Sequence, residues 1–359
     1  MSPNPDLYDI HPETLRGIAQ NRPGFWASLL LTAAIILGFG VVAGMGVFIW
    51  PDLPSGPPLI ALKIGMAVAP GLLWMAFFFL LERRDRSIHR LHFLLWLITG
   101  VFYLVTVRPL LMQVFRLDDW LFMGWWADIV ADLLIIAPLD LLLIYLILRY
   151  GVYPGETLRR LVDGPAFGVA AGLGLAAVLS LLTVWPESFL TPRDALAVSE
   201  RALSYAAVGG WLGYGLARAR FAHTQSYYLP GVFLLTVFLH GVFYALVRGA
   251  NALTVIAPPY SGLLAAGLLA FLSFAVMARR MRQHHRAFVR MAARVEIQRE
   301  RERPRSLLGD LMRMAEEQSP EERTAPPPPP PPSSGRDEDE LASLKRNWEA
   351  LIAEQEGKA

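Results

Sequence analysis

The chain has 359 residues, of which 54% are hydrophobic and 18% charged, and its formal net charge is +2. A mean hydropathy of +0.39 and the gathering of apolar residues into long blocks exclude an ordinary soluble domain and indicate a polytopic membrane protein. The chain contains no cysteine. Disulfides, thiolate metal ligands and cysteine nucleophiles are therefore excluded, and any catalysis would use carboxylates, histidines or hydroxyls.

Residues 1–24 form a polar segment that we predict to lie in the cytoplasm. This segment lacks the basic-then-apolar pattern and the small-residue cleavage site of a removable signal peptide. We therefore expect the first apolar run to stay in the membrane as an anchor.

Eight apolar runs follow, each close to the ~20 residues that a helix needs to cross a bilayer. They predict an all-α transmembrane bundle over residues 25–277, with about eight spans and both termini on one side of the membrane. The predicted spans are Phe25–Trp50, Leu59–Leu81, Leu91–Val107, Ile129–Leu148, Pro165–Val184, Ala202–Phe221, Leu229–Val247 and Tyr260–Met277.

Arginines are concentrated in alternate loops, after the second, fourth, sixth and eighth spans. Because basic residues accumulate on the cytoplasmic side of membrane proteins, this pattern predicts that both termini are cytoplasmic. Arginine greatly outnumbers lysine, which favours a bacterial protein and hence the bacterial cytoplasmic (inner) membrane. The loop arginines are Arg83, Arg84, Arg86, Arg90, Arg149, Arg159, Arg160, Arg218 and Arg220.

Glycines spaced four residues apart occur in three of the spans. The pairs are Gly40 and Gly44, Gly168 and Gly172, and Gly209 and Gly213. Small residues at this spacing share one helix face and let two helix backbones approach closely in lipid. We therefore predict that these motifs pack helices together.

The chain beyond the last span divides into three segments by composition. Residues 278–303 are predicted to form a basic amphipathic helix on anionic lipid, with Arg279 to Arg303 supplying the charge. Membrane tethering already accounts for this charge, so no nucleic-acid partner is predicted. Residues 304–336 form an acidic and then proline-rich linker that is disordered or extended as polyproline II.

Residues 337–359 hold a short amphipathic helical pattern, with apolar residues at Leu341, Leu344, Trp348 and Leu351. A helix this short has no core of its own. It either docks on a protein partner or on the tail of another copy, or it remains a solvated, partly helical tail.

Two ionisable residues lie deep inside apolar runs, Asp140 in the fourth span and His240 in the seventh. An unpaired charge at such depth costs roughly 3 kcal/mol on insertion scales, so each residue needs a partner. A helix rises ~1.5 Å per residue, and counting from the ends of the two runs places Asp140 and His240 at depths in the membrane that agree within one helical turn. Their depths therefore allow a contact between Asp140 and His240.

Such a pair has two interpretations. It could orient a water for general-base catalysis, or it could be a polar bridge between two helices. One histidine and one carboxylate supply too few ligands to favour a metal site. Cofactors are not indicated by any motif. Asp128 and Asp132, one turn apart at the outer end of the fourth span, are predicted to face water or lipid headgroups.

Residues 163–176, read as DGPAFGVAAGLGLA, resemble the glycine-rich signature of the PrsW family of intramembrane proteases, which is related to the CAAX-processing type. Ala137-Pro138-Leu139-Asp140 stands where that family carries "aP" followed by paired glutamates. Arg201 with Gly213-Tyr214-Gly215 is similar to its "R…H…G" helix, and Leu239-His240-Gly241 to its late "HG" helix. The resemblance covers roughly residues 130–250.

Family membership would imply cleavage of a substrate's transmembrane segment by an activated water. Most of the family's polar positions are changed in this chain, and only His240 and a shortened acid at Asp140 remain. The changed positions are Ile144 for the lysine, Val178-Leu179 for the Glu-Asn pair, Tyr205 for the middle histidine and Tyr244 for the Asp or Asn after the late histidine.

Three functional hypotheses follow. The first is a PrsW-like bundle with lost or weakened protease activity that binds membrane-protein segments and recruits partners through its tail. The second is an active intramembrane endopeptidase in which Asp140 and His240 are catalytic. The third is a small-solute or proton transporter that uses the same two residues as a relay.

Overall fold

A computed structural model of the chain describes residues 24–49, 56–81, 86–117, 125–154, 158, 160–186, 189–221, 227–252 and 260–283. These residues belong to one compact unit within Met1–Ala292. Every regular element among them is helical, which confirms the predicted all-α class. Apart from Gly24 and residues 278–283, the predicted N-terminal segment, basic helix, linker and tail helix lie outside the described residues.

The described helices are numbered here in chain order. Two of them, α3 and α5, are joined to π-helical turns, in which backbone hydrogen bonds run from residue i+5 to residue i. The helices are α1 (Gly24–Ile49), α2 (Pro57–Leu81), α3 (Arg86–Phe102), α4 (Trp125–Ala131), α5 (Ala137–Gly151), α6 (Asp163–Val184), α7 (Pro192–Phe221), α8 (Tyr228–Ala252) and α9 (Ser261–Gln283).

Seven segments among the described residues are long and apolar enough to cross a membrane: Ser28–Ile49, Pro57–Leu80, Ile88–Val114, Ala127–Gly151, Asp163–Val184, Tyr228–Ala252 and Ser261–Gln283. They match seven of the eight predicted spans. The third is longer than predicted, because the helix continues through Pro109 to Val114, so Arg108 lies inside it and not in a loop.

The sixth predicted span, Ala202–Phe221, lies within α7 but is not among the seven. Seven of the about eight predicted spans are therefore found by length and composition among the described residues. The helix that contains the sixth, α7, is enclosed by other helices, with buried residues on most of its surface from Ala195 to Ala217. A helix shielded from lipid by protein can carry more glycine and polar residues than a lipid-facing one.

The closest helix contact in the fold is the seam between α6 and α7, which run antiparallel. A methyl group added at Gly168 would collide with the backbone oxygen of Gly209, and one at Gly172 with the backbone oxygen of Tyr205. At Gly40 of α1, an added methyl would lie 2.7 Å from Cβ of Ser199 on α7. The predicted packing role of the glycine motifs is confirmed at these positions.

A π-helical turn, Asp132–Ile136, separates α4 from α5, with the Ala137 N–H donating to the Asp132 carbonyl. Pro138 follows this turn and has no N–H for the carbonyl of Leu134. In a regular helix, residues eight apart stand about 80° apart around the axis. The π turn absorbs one extra residue, so Asp132 and Asp140 are brought to within about 20° of one face.

The rotation that the π turn gives to Asp132 relative to Asp140 can be tested by deleting single residues. Deleting Leu134, which is 67% exposed, should convert the π turn to regular helix and keep both flanking faces, because a π turn is a one-residue insertion. Deleting Leu142, 41% exposed in α5, should rotate one flank by about 100° and misplace its buried face. Fluorescence-detected size exclusion of both variants checks this, and an equal loss of monodisperse protein would contradict it.

Candidate functional site

Asp140 and His240, the two candidate residues from the sequence, are both buried in the bundle. Asp140 is 0% exposed on α5 and His240 is 4% exposed on α8. The hydroxyl of Tyr205, on α7, donates a hydrogen bond to Oδ2 of Asp140. Asp140 is therefore held by a tyrosine from a third helix.

The carboxylate that faces His240 is Asp132. The Asp132 Oδ1 atom lies 3.6 Å from Nε2 of His240. The prediction that Asp132 faces water or headgroups is wrong, because the residue is only 4% exposed. That prediction rested on the position of Asp132 near the outer end of the span; the π turn then brings it to the same face as Asp140.

Tyr205 joins the two halves of the arrangement. Its ring centroid lies 4.8 Å from that of His240, while its hydroxyl is bonded to Asp140. We call Asp132, Asp140, Tyr205 and His240 the polar cluster. Asp140 and His240 are thus brought into one site, linked through Tyr205.

Three atoms of the polar cluster are buried without a hydrogen-bond partner among the described residues: Asp132 Oδ2, Asp140 Oδ1 and His240 Nδ1. Because Asp132 faces Nε2, the imidazole proton is assigned to that nitrogen, which leaves Nδ1 as an acceptor. All three unpaired atoms then accept hydrogen bonds. Each buried unpaired group costs roughly 1–3 kcal/mol, so the site suits a bound donor such as water.

Arg201 lies one helical turn from Tyr205 on the same face of α7 and supplies positive charge beside the cluster. Its Nη1 donates to Oγ of the buried Ser180 on α6, at 3.3 Å. Its charge acts on both Tyr205 and Asp140. Burying two carboxylates costs free energy unless a positive charge lies nearby. Arg201 supplies that charge.

Asp128 occupies a different environment from Asp132, although the two are one turn apart. It remains partly exposed and forms an ion pair with Arg248 of α8, which also donates to the Tyr244 hydroxyl at 2.7 Å. Asp128 therefore links α4 to α8 at the edge of the bundle and is not part of the polar cluster.

The changed positions of the PrsW resemblance fall into two groups. Ile144 and Val178 are apolar, and Val178 packs where a methyl on Gly100 would meet its Cγ2 at 2.7 Å. Tyr205, by contrast, lies within the polar cluster. Sequence reasoning placed Asp132 at the water and named Arg201 only through the resemblance. The spacing of Arg201 one turn before Tyr205 was a further signal that it belongs beside the site.

No group of three or more His, Asp or Glu side chains that could hold a metal occurs within the described ranges. No family model matches the chain, and no curated protein or solved structure matches it.

Proposed function

We propose that this polytopic α-helical membrane protein is a hydrolase that cleaves peptide bonds inside the bilayer at the polar cluster. The observation that carries the proposal is the contact between Asp132 and Nε2 of His240, which leaves Nδ1 unpaired and buried in the polar cluster. A base oriented by a carboxylate is the arrangement that general-base hydrolysis uses.

In the first step, His240 Nδ1 takes a proton from a water as the water oxygen attacks the substrate carbonyl. Asp132 fixes the tautomer that makes Nδ1 the acceptor, and its negative charge stabilises the imidazolium that forms. The proton has a defined path, from the water oxygen to Nδ1. Arg201 supplies positive charge for the oxyanion that develops on the substrate.

In the second step, the tetrahedral intermediate collapses and the leaving nitrogen needs a proton. The imidazolium returns the proton that Nδ1 took in the first step, so the leaving group departs as an amine and His240 is again neutral. Asp140 stays a carboxylate that accepts the Tyr205 hydroxyl and so positions the tyrosine ring against His240. The two carboxylates therefore have separate tasks, set by their different partners.

The substrate class rests on the resemblance to PrsW proteases, which implies a transmembrane segment of another protein. The hypothesis of lost or weakened activity rested on there being only two polar groups. Asp132, Tyr205 and Arg201 now join Asp140 and His240, which favours the active alternative. A binding or scaffolding role is the competing proposal, and it predicts no cleavage.

We also propose the orientation indicated by the loops, with both termini in the cytoplasm of a bacterial inner membrane. Arg149, Arg218, Arg220 and Arg280 lie in the last turns of α5, α7 and α9. These turns lie at the ends of the fourth, sixth and eighth predicted spans, which supports a single basic side.

The test is a comparison of new protein termini in membranes from cells that carry either the wild type or an Asp140→Asn, His240→Ala double variant. We expect termini within transmembrane segments that appear only with the wild type, which requires no guess at the substrate. Membrane insertion of the variant is checked by fluorescence-detected size exclusion. Identical maps from equally inserted proteins would exclude the hydrolase and leave the binding role.

A further inference from the structure

A second set of polar side chains gathers at the end of the bundle where α7 ends, α8 begins and α9 ends. It contains Tyr214 and Arg218 of α7, Tyr228 of α8 and Arg280 of α9. We call these four residues the basic pocket. They lie apart from the polar cluster, since Tyr214 is nine residues, or about 13 Å, along α7 from Tyr205.

Two buried polar atoms of the basic pocket lack a hydrogen-bond partner among the described residues, the Tyr214 hydroxyl and Nε of Arg218. Tyr214 is itself buried. Both atoms are hydrogen-bond donors, in contrast to the unpaired acceptors of the polar cluster. A ligand for this pocket must therefore present acceptors.

The charge of the pocket is positive. The charges of Arg218 and Arg280 both act on Tyr214 and Tyr228. Arg218 is half-buried and Arg280 is exposed at the end of α9. No ion pair among the described residues involves either arginine, so a bound anion would offset their charge.

The pocket is held in place by packing on both sides. The guanidinium of Arg218 lies 5.1 Å from the ring centroid of Tyr228, in cation–π geometry. Met277 and Met281 of α9 are fully buried, and Met277 packs against α7 where a methyl on Gly210 would meet its Cε at 3.2 Å. The end of α9 that carries Arg280 is therefore fixed against α7.

We propose that the basic pocket binds a phosphate group, and that the phosphate belongs to the headgroup of an anionic lipid. Arginine forks and a tyrosine hydroxyl match the two non-bridging oxygens of a phosphate diester, or the three of a monoester. The pocket lies at the ends of α8 and α9, both apolar enough to span, so it is at the level where lipid headgroups are found. This inference does not depend on the hydrolase assignment.

The test uses the full-length protein in a non-ionic detergent, titrated with phosphatidylglycerol, with phosphatidylcholine of the same chain length, and with inorganic phosphate. Binding is read by native mass spectrometry and by the shift in thermal unfolding. We expect phosphatidylglycerol to bind saturably and phosphatidylcholine not to. A response to inorganic phosphate equal to that of phosphatidylglycerol would assign the pocket to the free anion and overturn the lipid source.

Single substitutions distinguish binding in the basic pocket from a general effect of the protein's net charge. Arg218→Gln should weaken phosphatidylglycerol binding about tenfold or more, since charged hydrogen bonds are lost. Tyr214→Phe should weaken it a few-fold, because the hydroxyl that donates to the phosphate is lost. Arg90→Gln, at an exposed arginine of α3 outside the pocket and with the same charge change, is the matched control.

Equal weakening by Arg218→Gln and Arg90→Gln would mean that only net charge matters, and it would overturn the proposal. Unchanged binding in Tyr214→Phe and Arg218→Gln would do the same. If Arg218→Gln fails to fold, Arg218→Lys takes its place, with an expected intermediate loss because the charge remains while the planar fork is removed.

Discussion

Replacing Asp132 with asparagine is expected to lower the rate of intramembrane cleavage by about 10² to 10⁴-fold. The negative charge that stabilises a protonated His240 is lost, and an asparagine amide can also donate to Nε2 and favour the wrong tautomer. The buried volume hardly changes, so the fold should survive. The measurement is the initial rate at which a new protein terminus appears, for a terminus that is absent with the Asp140→Asn, His240→Ala double variant.

Asp128→Asn is the control for this prediction. It makes the same chemical change one turn along the same helix, but it removes a partly exposed ion pair with Arg248. Such pairs typically contribute 0–1 kcal/mol, so cleavage should change by less than a few-fold. Similar rates for the two variants would show that the contact between Asp132 and His240 has no catalytic role.

Replacing Gly168 with alanine is expected to destabilise the bundle by about 1–3 kcal/mol or more, because the added methyl meets a backbone oxygen and not a flexible side chain. The obstructing atom belongs to Gly209 in the middle of α7, which cannot move without separating α6 from α7. Polar residues on α7, including Tyr205, would then be displaced. The loss should appear as a lower apparent melting temperature in detergent.

Gly38→Ala supplies the comparison, since an added methyl at Gly38 of α1 meets nothing within 4 Å. Alanine is favoured over glycine in a helix by up to about 1 kcal/mol, so this variant should match or exceed the wild type in melting temperature. A Gly168→Ala protein as stable as the Gly38→Ala protein would contradict the close seam between α6 and α7.

Much of the architecture follows from the sequence because its signals are local. The apolar runs predicted the membrane helices, and the four-residue spacing of glycines predicted where helices approach. The exception is α7, whose role depends on its neighbours. Its glycines and polar residues lower its mean hydropathy, yet the helix is enclosed by the other helices of the bundle. Hydropathy alone therefore could not identify α7 as a central helix.

Only two of the four residues of the polar cluster were predicted from the sequence as site residues. Asp140 and His240 stood out because each interrupts an apolar run, and burial of a charge in such a run has a cost that needs a partner. Asp132 did not stand out, since it lies near a predicted span end beside Asp128. The two aspartates are alike in sequence, but only Asp132 is turned into the bundle.

The sequence by itself determined that this is an all-helical membrane protein, with an acid and a histidine buried in two of its spans. Those conclusions depend on composition and on the period of a helix, which neighbouring residues set. The tertiary structure decided which carboxylate meets His240, that Tyr205 bonds Asp140, and that Arg218 lies over the ring of Tyr228. Each of these depends on helix rotation and contact between distant segments, and at Asp132 on a π turn that moves one side chain onto another face.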